Sequence, residues 1–506
     1  MRVAVLTARV PFAAAAAAAL IVLGVGLRLR QLCTWRSLWM DEAMLAVNVV
    51  ERSAAALAQP LEYNQGAPLG FLLMQKAAVL MLGLQDWTLR LLPFAASVVA
   101  LVLMARVATS WLGGAGLLAV GLLAVGTPVV EYSTEAKQYA VDVAAALALL
   151  WATMPWLDGE RWRHATTPPT WSRRWVVVPV GAIAVWCSHP AAFGLCGTAA
   201  VVIAAAARQR RALPIAVAAI TTWAASAALL YWLSLETLAS NSALLQYWRG
   251  AFWPAGEAGS LSWLRDAVRA FIAQVGALQP ASWAAGLAVV GVASQVRRSP
   301  PIAMLFTAPL LAAVVASAAG KYPFSGRLLL FAVPCLYLAV AAGVRALASA
   351  AARAHRAAGV AVAASLTVVV LYSPVGGALR SALQPRAPED LRPALEHLLR
   401  RLESSDRVYV YYGAKPAFRF YAHALPLPKD GVALGRAHRG DPAAYAGELD
   451  AAAPQGRLWL VFAHECPTCA VPERSVLIRH LEARGRRLDA YETNGAGVYL
   501  YEIEKR

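Results

Sequence analysis

The sequence predicts a polytopic α-helical membrane protein that carries a small α/β domain at its C-terminal end. Of the 506 residues, 59% are hydrophobic and only 15% are charged, whereas soluble domains carry roughly a quarter charged residues. Several segments also exceed the ~18 consecutive apolar residues that indicate a transmembrane helix. A change to a more polar composition near residue 380 predicts the soluble domain.

Apolar segments occupy most of the chain before residue 376. They lie at 11–27, 67–84, 91–112, 115–130, 138–157, 175–187, 190–206, 212–235, 281–295, 302–319, 327–346 and 358–374. We predict helices there, because the bilayer core has no water to satisfy open backbone groups. The first segment follows Arg2 and Arg9 as a signal sequence would, but it meets Arg28 and Arg30 instead of a cleavage site. It is therefore predicted to be an uncleaved first span.

Arginine-rich loops predict the orientation of the helices. The four most basic short loops lie at 161–174, 208–211, 297–298 and 345–356. The positive-inside rule places such loops in the cytoplasm, and an even number of apolar segments separates each successive pair. Much of the formal charge of +17 lies in these loops. No basic stripe or binding motif accompanies the charge, so nucleic acid is not a predicted partner.

The segment at 67–84 is the weakest candidate for a span. Gln75 and Lys76 lie at its middle, and a charge at the bilayer centre costs about 2.5–3.5 kcal/mol. We predict that it lies at the outer surface, which leaves about eleven spans within a range of about 10–13. The N-terminus is then cytoplasmic, and everything after Ser373 lies outside a plasma (inner) membrane. Three residues on the outer side of the first span oppose this topology: Arg28, Arg30 and Arg36.

Two domains are predicted, a transmembrane domain at 1–376 with an external loop at about 30–87, and an extracytoplasmic domain at 377–506. The predicted elements of the second domain are helices at 389–402 and 473–484 and strands at 407–412, 458–462 and 498–501. Leucines share one face of the helix at 389–402. The strands are rich in valine, tyrosine and other β-formers.

A Cys-Pro-Thr-Cys run, Cys466 to Cys469, lies near the end of the chain. It follows a strand, as thioredoxin-like redox motifs do, but Pro472 comes too soon for the long helix that such a motif requires. A local disulfide, which an extracytoplasmic domain permits, is favoured over a redox role. A metal site here would need two more ligands, and His464 supplies at most one.

Ionisable residues near the membrane gather on the outer face of this topology. They are Asp41, Glu42, Glu131, Glu135, Lys137, His189, Arg249, Lys321 and Arg327. Charges at membrane level are costly, so the asymmetry indicates a functional site, although loops are also where charges ordinarily lie. Asp41 and Glu42, directly beyond Trp39 and Met40, could supply a general base. On its own, the acidic pair would fit a solvated helix cap better.

Six short sequence motifs follow one another in a specific order and spacing. They are Ser37-Leu-Trp-Met-Asp-Glu-Ala43, Asn64-Gln-Gly-Ala-Pro-Leu-Gly70, Trp87-Thr-Leu-Arg-Leu-Leu-Pro93, Tyr132-Ser-Thr-Glu-Ala-Lys-Gln-Tyr139, Ser188-His-Pro190 and Tyr322-Pro-Phe-Ser-Gly-Arg-Leu-Leu-Leu-Phe331. Together they resemble glycosyltransferase family 39 and its relatives, GT-C-fold enzymes such as protein O-mannosyltransferases and lipid A aminoarabinose transferases. The resemblance covers roughly residues 20–345, and the terminal domain matches more loosely. One departure is Ala67, where relatives often have a lysine before the proline.

The resemblance implies a cell-envelope glycosyltransferase, moving a hexose or pentose from a polyprenyl-phosphate donor to an extracytoplasmic hydroxyl on a lipid, glycan or protein, with inversion. Asp41 and Glu42 are the implied catalytic residues, with Asp41 as the general base. Lys137, Lys321 and Arg327 would bind the donor phosphate, since preorganised positive charge suits a phosphate leaving group. A guanidinium grips phosphate through two hydrogen bonds, which favours Arg327. The implied substrate-binding residues are Trp39, Glu135, Tyr139, His189 and Arg249.

These residues also have structural interpretations. Lys321 and Arg327 would fit snorkelling anchors at a helix end. Glu135 and Lys137 would fit a surface ion pair that contributes under ~1 kcal/mol to stability. His189 suits a helix-breaking corner better than a catalytic base. No cofactor is predicted with certainty. A sugar monophosphate lacks the pyrophosphate that usually recruits Mg²⁺, but carboxylates in two external loops leave a divalent metal open.

Two other functions remain open at the level of the sequence. A transporter or flippase of a lipid-linked substrate would place functional polar groups near mid-bilayer and often contain internal repeats, neither of which is clear here. A non-catalytic membrane scaffold would use the external domain for binding and would tolerate the combined loss of Asp41 and Arg327.

Overall fold

The computed structural model describes residues 2–157, 171–254, 256–465 and 472–505. Most of the predicted basic loop at 161–174 and the whole Cys-Pro-Thr-Cys run therefore lie outside the described residues. The described chain is helical as far as Leu383 and forms a small mixed domain after it.

The helical part contains eighteen α-helices within the described residues. They are α1 (Arg2–Leu32), α2 (Met40–Glu51), α3 (Leu69–Leu82), α4 (Asp86–Leu112), α5 (Gly116–Val125), α6 (Thr127–Glu131), α7 (Tyr139–Thr153), α8 (Trp171–Arg174), α9 (Val177–Cys187), α10 (Ala191–Arg208), α11 (Leu213–Leu230), α12 (Glu236–Ala239), α13 (Ser242–Tyr247), α14 (Ser260–Ala270), α15 (Ala281–Arg298), α16 (Pro300–Ala318), α17 (Val333–Ala354) and α18 (Arg356–Leu383). A π-helical turn, Phe271–Val275, continues α14, and a 3-10 segment, Gly326–Ala332, leads into α17.

Eleven of these helices coincide with the segments predicted to cross the membrane: α1, α4, α5, α7, α9, α10, α11, α15, α16, α17 and α18. In the described parts of the chain, eight helical stretches are long and apolar enough to cross, and α4 and α5 together form one of them. The 11-residue α9 and the more polar α15 are not among the eight. The number of crossings therefore stays a prediction. The segment predicted to lie at the surface forms α3, whose 14 residues fall short of the ~20 that a span needs.

Helix α17 forms the buried centre of the helical part and packs against α15, α16, α18 and α5. The backbones of α15 and α17 touch where Gly291 faces Gly343. A Cβ added at Gly291 would lie 1.9 Å from the carbonyl oxygen of Ala339, and one added at Gly343 would lie 2.0 Å from that of Leu287. Close packing of small residues is what holds helices together in a lipid environment, where apolar burial between helices gives little.

Arg28 is fully buried, and its guanidinium caps the C-terminal end of α5. It donates hydrogen bonds to the carbonyl oxygens of Leu123 at 2.9 Å and Ala124 at 3.1 Å, and to that of Gly24 at 2.9 Å on its own helix. A cation is favoured at the negative end of a helix dipole. Arg28 therefore has an internal partner and is not a free loop charge of the kind that the positive-inside rule counts, which reduces the conflict with the predicted topology.

The C-terminal domain contains a five-stranded mixed sheet covered by helices. Its elements are α19 (Leu391–Arg401), β1 (Arg407–Val410), α20 (Lys415–Tyr421), β2 (Val432–Leu434), α21 (Pro442–Ala452), β3 (Gly456–Ala463), α22 (Glu473–Glu482), β4 (Gly485–Thr493) and β5 (Ala496–Ile503). The strand order is β2-β1-β3-β5-β4, with β2, β1 and β3 parallel and β5 antiparallel to both of its neighbours. The carboxyl ends of β1 and β3 therefore lie side by side.

Most of the predicted elements of this domain are present. The three predicted strands correspond to β1, β3 and β5, and the two predicted helices to α19 and α22. The sequence did not predict β2, which has three residues, or β4, an edge strand whose charged, exposed sequence has no apolar run. The boundary predicted between residues 376 and 377 falls inside α18, because that helix continues unbroken to Leu383.

The contact between α15 and α17 generates a stability prediction. Replacing Gly343 by Ala should force the two helices apart and destabilise the protein by about 1–3 kcal/mol, the usual cost of overpacking. Thermal unfolding in detergent measures the loss. Gly286→Ala on α15 is the matched control, because a Cβ added there meets no atom within 4 Å. Equal unfolding temperatures for the two variants would contradict the prediction.

Candidate active site

The external loop after α1 places two carboxylates in the first turn of α2. Trp39 is the residue before the helix, and Asp41 and Glu42 are its second and third residues. Acidic side chains are favoured here, because the first turn carries the positive end of the helix dipole. Neighbouring residues on a helix point about 100° apart, so the two carboxylates enter different surroundings.

Glu42 is fully buried and joins four segments of the chain. Its Oε2 accepts hydrogen bonds from Arg36 at 3.0 Å and Arg90 at 2.8 Å, and its Oε1 accepts from Arg90 Nε at 3.1 Å and from the backbone N–H of Ala136 at 2.8 Å. Burial would raise the pKa of Glu42, but Arg36 and Arg90 outweigh it and lower the pKa to about 2. Glu42 is therefore an ionised structural anchor with both oxygens occupied.

Asp41 lies between two cations. Its Oδ1 is 3.0 Å from Lys137 Nζ and its Oδ2 is 2.6 Å from Arg327 Nη2. Burial would raise the pKa of Asp41, but Lys137 and then Arg327 outweigh it, so the pKa lies below its ordinary value. Burial also lowers the pKa of Lys137, although Asp41 opposes the shift. The aspartate keeps 15% of its side chain exposed, unlike Glu42, so it is the more accessible of the two carboxylates.

Arg327 enters the site from the start of the 3-10 segment that leads into α17. Its guanidinium carbon lies 5.8 Å from the ring centre of Trp39 and 5.4 Å from that of Tyr139. Cations bind the faces of aromatic rings at such distances. The two rings and Asp41 thus hold Arg327 in place, and its pairing with a carboxylate distinguishes it from a snorkelling anchor.

Arg386 is a member of the site that the sequence did not predict. It follows α18, and its Nη1 lies 3.1 Å from Glu135 Oε1 and 3.7 Å from Glu131 Oε2. Its guanidinium carbon is 5.8 Å from the Trp39 ring centre and 5.6 Å from that of Tyr132. The signal in the sequence is that this arginine lies between two prolines, in the run Pro385-Arg-Ala-Pro388 at the junction of the two domains.

Trp39 and Glu135 each have a buried polar atom without a hydrogen-bond partner among the described residues. These atoms are the indole Nε1 of Trp39 and Oε2 of Glu135. Burial raises the pKa of Glu135 to about 7, with a smaller contribution from the charge of Glu42. Buried donors and acceptors are rarely left unpaired without a reason. A donor and an acceptor beside the same arginine form a place for a polar ligand such as a hydroxyl-rich group.

Lys137 also contacts the stretch in which relatives often have a lysine. Its Nζ donates a hydrogen bond to Gln65 Oε1 at 2.6 Å, and Gln138 Nε2 donates to the carbonyl oxygen of Gly66 at 3.3 Å. Ala67 at that position is buried. Lys137, from the second external loop, therefore brings a cation next to the 64–70 stretch, which has none of its own.

Three predicted site residues are not brought into this cluster. Lys321 and Arg249 are exposed, and His189 lies at the turn between α9 and α10. Among the described residues, none of the three has a hydrogen bond or ion pair with Asp41 or its partners. Their interpretation as a helix-end anchor, a surface charge and a corner residue fits these positions.

The charge of the cluster favours an anion. Its five cations are Arg36, Arg90, Lys137, Arg327 and Arg386, and its four carboxylates are Asp41, Glu42, Glu131 and Glu135. Within the described residues, no three His, Cys, Asp or Glu side chains converge as a metal site would require. Both first-turn carboxylates are already neutralised by cations, so the arrangement suits a phosphate better than a divalent metal.

Two cavities flank the cluster. One, of about 400 Å³, is lined by Glu131, the partner of Arg386, and by Gln274. The other, of about 520 Å³, is lined by Gly326, the residue before Arg327, and also by Gln274. The first cavity thus adjoins the cluster at Glu131, and the second lies next to the segment that carries Arg327.

No family model and no curated protein matches the chain. Among solved structures, ArnT from Cupriavidus metallidurans in the apo state is similar with a TM-score of 0.54 and 14% identity over 96% of this chain and 98% of that one. The same protein bound to undecaprenyl phosphate gives a TM-score of 0.53 and 13% identity over 98% of each chain.

A third similar structure is the archaeal oligosaccharyltransferase AglB from Archaeoglobus fulgidus, in complex with an inhibitory peptide and a dolichol-phosphate. Its TM-score is 0.52 and its identity 11%, over 96% of this chain and 74% of that one. At such identities the similarity concerns the fold, and it extends over both the helical part and the C-terminal domain. The chain is therefore a polytopic membrane protein with the GT-C fold that its sequence predicts.

Proposed function

We propose that the chain is a glycosyltransferase that moves a sugar from a polyprenyl-phosphate donor to an acceptor hydroxyl outside the cytoplasm, with inversion. The observation that carries the proposal is the position of Asp41 between Lys137 and Arg327, at 3.0 and 2.6 Å. A base and two phosphate-binding cations are thereby in contact on one side of a GT-C fold. The solved structures of similar fold that contain undecaprenyl phosphate or a dolichol-phosphate support this class of donor.

The donor phosphate would bind to Arg327 and Lys137. A guanidinium can donate two parallel hydrogen bonds to phosphate, and the ammonium of lysine adds a point charge. Both groups are held near Asp41 before the donor arrives, so little reorganisation is needed when charge develops on the leaving group. The aromatic rings around Arg327 keep its position fixed while its hydrogen bonds turn to the phosphate.

Donor binding would also prepare the base. In the structure, Lys137 and Arg327 lower the pKa of Asp41, which makes the carboxylate a weak proton acceptor. A bound phosphate shares these cations and adds negative charge, so the pKa of Asp41 rises and one of its oxygens becomes available. Asp41 is then more basic when the donor is present, which couples proton removal to the occupied site.

In the transfer step one bond to the anomeric carbon forms and another breaks. The acceptor oxygen bonds to the anomeric carbon while its proton passes to a carboxylate oxygen of Asp41. The bond between the anomeric carbon and the phosphate oxygen breaks, and its electron pair leaves with the polyprenyl phosphate. Arg327 and Lys137 stabilise the charge that develops there. Attack from the face opposite the phosphate inverts the anomeric centre.

The sugar itself would bind between Trp39 and Glu135. The unpaired indole N–H and the unpaired carboxyl oxygen supply a donor and an acceptor for sugar hydroxyls, and Tyr139 adds a ring face. Arg386 holds Glu135 in place at 3.1 Å. Glu42 supports the loop and is not assigned a catalytic step, and Lys321, His189 and Arg249 have no role in this mechanism.

Asp41→Asn tests the proposed base. The variant should lose transfer by about 10²–10⁴-fold, the usual contribution of a general base. Its affinity for undecaprenyl phosphate should stay the same or increase, because Lys137 and Arg327 lose a competing anion. The assay is release of undecaprenyl phosphate from a panel of undecaprenyl-phosphate-linked sugars by the purified protein in nanodiscs, with envelope lipids from a deletion strain as acceptors. Retained turnover in the variant would refute the mechanism.

Arg327→Lys tests the phosphate clamp. The variant keeps the positive charge but loses the two-pronged hydrogen bonding. Undecaprenyl phosphate should therefore bind about 10–150-fold more weakly, as expected for one charge-assisted hydrogen bond of ~1.5–3 kcal/mol. Lys321→Ala is the control, since Lys321 is exposed at a nearby position in the sequence. Binding to nanodiscs is measured by titration with undecaprenyl phosphate. A larger effect from Lys321→Ala than from Arg327→Lys would reverse the assignment.

Glu42→Gln tests the anchor. It leaves Arg36 and Arg90 without the carboxylate that they share, and breaking a buried ion pair costs about 3–5 kcal/mol of stability.

The stabilising effect of Glu42 also depends on pH. Since the pKa of Glu42 in the folded protein is about 2 and its ordinary value is 4.5, this effect is complete above pH 4.5 and is lost as the pH falls toward 2. Thermal unfolding across this range should show a slope that Glu42→Gln reduces. Asp266→Asn, which removes an exposed ion pair with Arg265, should leave the slope unchanged.

A further inference from the structure

The segment that leads into α2 donates three backbone N–H groups to side chains of the C-terminal domain. The N–H of Ser37 donates to Asp390 Oδ1 at 3.0 Å, that of Leu38 to the Tyr421 hydroxyl at 2.8 Å, and that of Met40 to Glu389 Oε2 at 2.9 Å. Trp39 supplies no side-chain cap for the helix. Helix starts normally find acceptors in the residue before the first turn. Here the N–H of Met40, the first residue of α2, has its acceptor in the other domain, whereas the N–H of Trp39 donates to Glu42 of the same helix at 3.4 Å.

The residues that accept these hydrogen bonds are themselves held in place within the C-terminal domain. Glu389 Oε1 lies 2.6 Å from His464 Nδ1, so the histidine orients the carboxylate whose other oxygen holds Met40. His464 directly follows β3 and has a positive φ of 60°. The next residue, Asp390, donates its backbone N–H to the carbonyl oxygen of Asn494 at 2.9 Å, in the turn between β4 and β5. The loop is therefore tied to the rigid sheet through Glu389 and Asp390.

The two domains hold different parts of the same site. Asp41 directly follows Met40, so the hydrogen bond from Met40 to Glu389 sets the first turn of α2 and with it the direction of the Asp41 side chain. The partners of Asp41 are Lys137, just before α7, and Arg327, just before α17. The C-terminal domain therefore helps to align Asp41 with these cations, in addition to the contacts that Glu42 makes within the helical part. A displacement of 1 Å in a reacting group costs on the order of 100-fold in rate.

We infer that Glu389, oriented by His464, is a positioning residue for Asp41, and that the C-terminal domain takes part in transfer through this contact. The inference rests on the proposed glycosyltransferase function. Glu389 touches neither phosphate nor sugar in this arrangement. It acts on the rate of the chemical step and leaves donor binding to Lys137 and Arg327.

Glu389→Ala tests the contact by separating rate from binding. Turnover at saturating undecaprenyl-phosphate-linked sugar should fall on the order of 100-fold, whereas the affinity for undecaprenyl phosphate should change by less than about twofold, because the clamp residues are intact. Hydrogen exchange of the backbone around residues 37–42 should accelerate. Glu389→Gln retains an oxygen that can accept from Met40 and should recover most of the rate. Unchanged turnover in Glu389→Ala would overturn the inference.

The histidine has a conservative replacement and a matched control. His464→Asn tolerates the positive φ and still offers an N–H to Glu389, so it should keep more activity than His464→Ala. His397→Ala removes a similar pair in the same domain, His397 Nε2 to Asp489 Oδ2 at 2.6 Å, without contacting the loop. It should leave turnover unchanged. Equal losses for His464→Ala and His397→Ala would mean a general effect on the domain and would overturn the inference.

A double variant shows whether Glu389 acts through Asp41. In the Asp41→Asn background, Glu389→Ala should cause little further loss of turnover, because residues that act as one unit are not additive. A full additional loss would overturn the positioning role. The two proposals fail separately: retained turnover in Asp41→Asn refutes the base, whereas a normal Glu389→Ala beside an inactive Asp41→Asn refutes only the positioning role.

Discussion

A carboxylate sealed from water needs its counter-charges at hydrogen-bond distance, and Glu42 obtains them from Arg36 and Arg90. This buried group joins the chain before α2, the start of α4 and the loop before α7, because each of these segments contributes a donor. Without such partners the cost of burial would be several kcal/mol. Asp41 is next to Glu42 in the sequence, and Lys137 is next to Ala136, whose N–H donates to Glu42. The positions of Asp41 and Lys137 therefore depend on the contacts of Glu42.

The same constraint explains how the site uses its charges. Five cations and four carboxylates lie close together at one side of the helical part, and each carboxylate has at least one cationic partner. Asp41 differs from Glu42 in being partly exposed and in facing cations that a ligand can recruit. The adjacent pair in the sequence thus divides into one fully buried and one partly exposed carboxylate, because successive helical residues point in different directions.

Length and spacing of apolar runs were sufficient to predict most helices, since only helices satisfy their own backbone within a membrane. The gathering of Asp41, Lys137 and Arg327 followed from placing their loops on one face. The role of Glu42 could not be predicted, because it depends on Arg36 and Arg90, and contacts between distant loops have no periodic signature. The contacts of Arg386 and Glu389 could not be predicted for the same reason. Both residues lie in a proline-rich connection between the domains, where neither hydrophobic pattern nor charge indicates a partner. The short β2 and the charged edge strand β4 lacked the apolar alternation by which strands are predicted.

The hydrogen bonds between residues 37–40 and the C-terminal domain have a consequence for biogenesis. The acceptor for Met40 is a side chain 349 residues further along the chain. At a synthesis rate of ~5–20 residues per second, roughly 20–70 s pass between the emergence of the loop and that of its acceptor. During this time the N–H of Met40 lacks the carboxylate that binds it in the folded protein, although the contacts of Glu42 with Arg36 and Arg90 can already form. A newly inserted chain therefore completes the start of α2 only when the last domain has been made and folded.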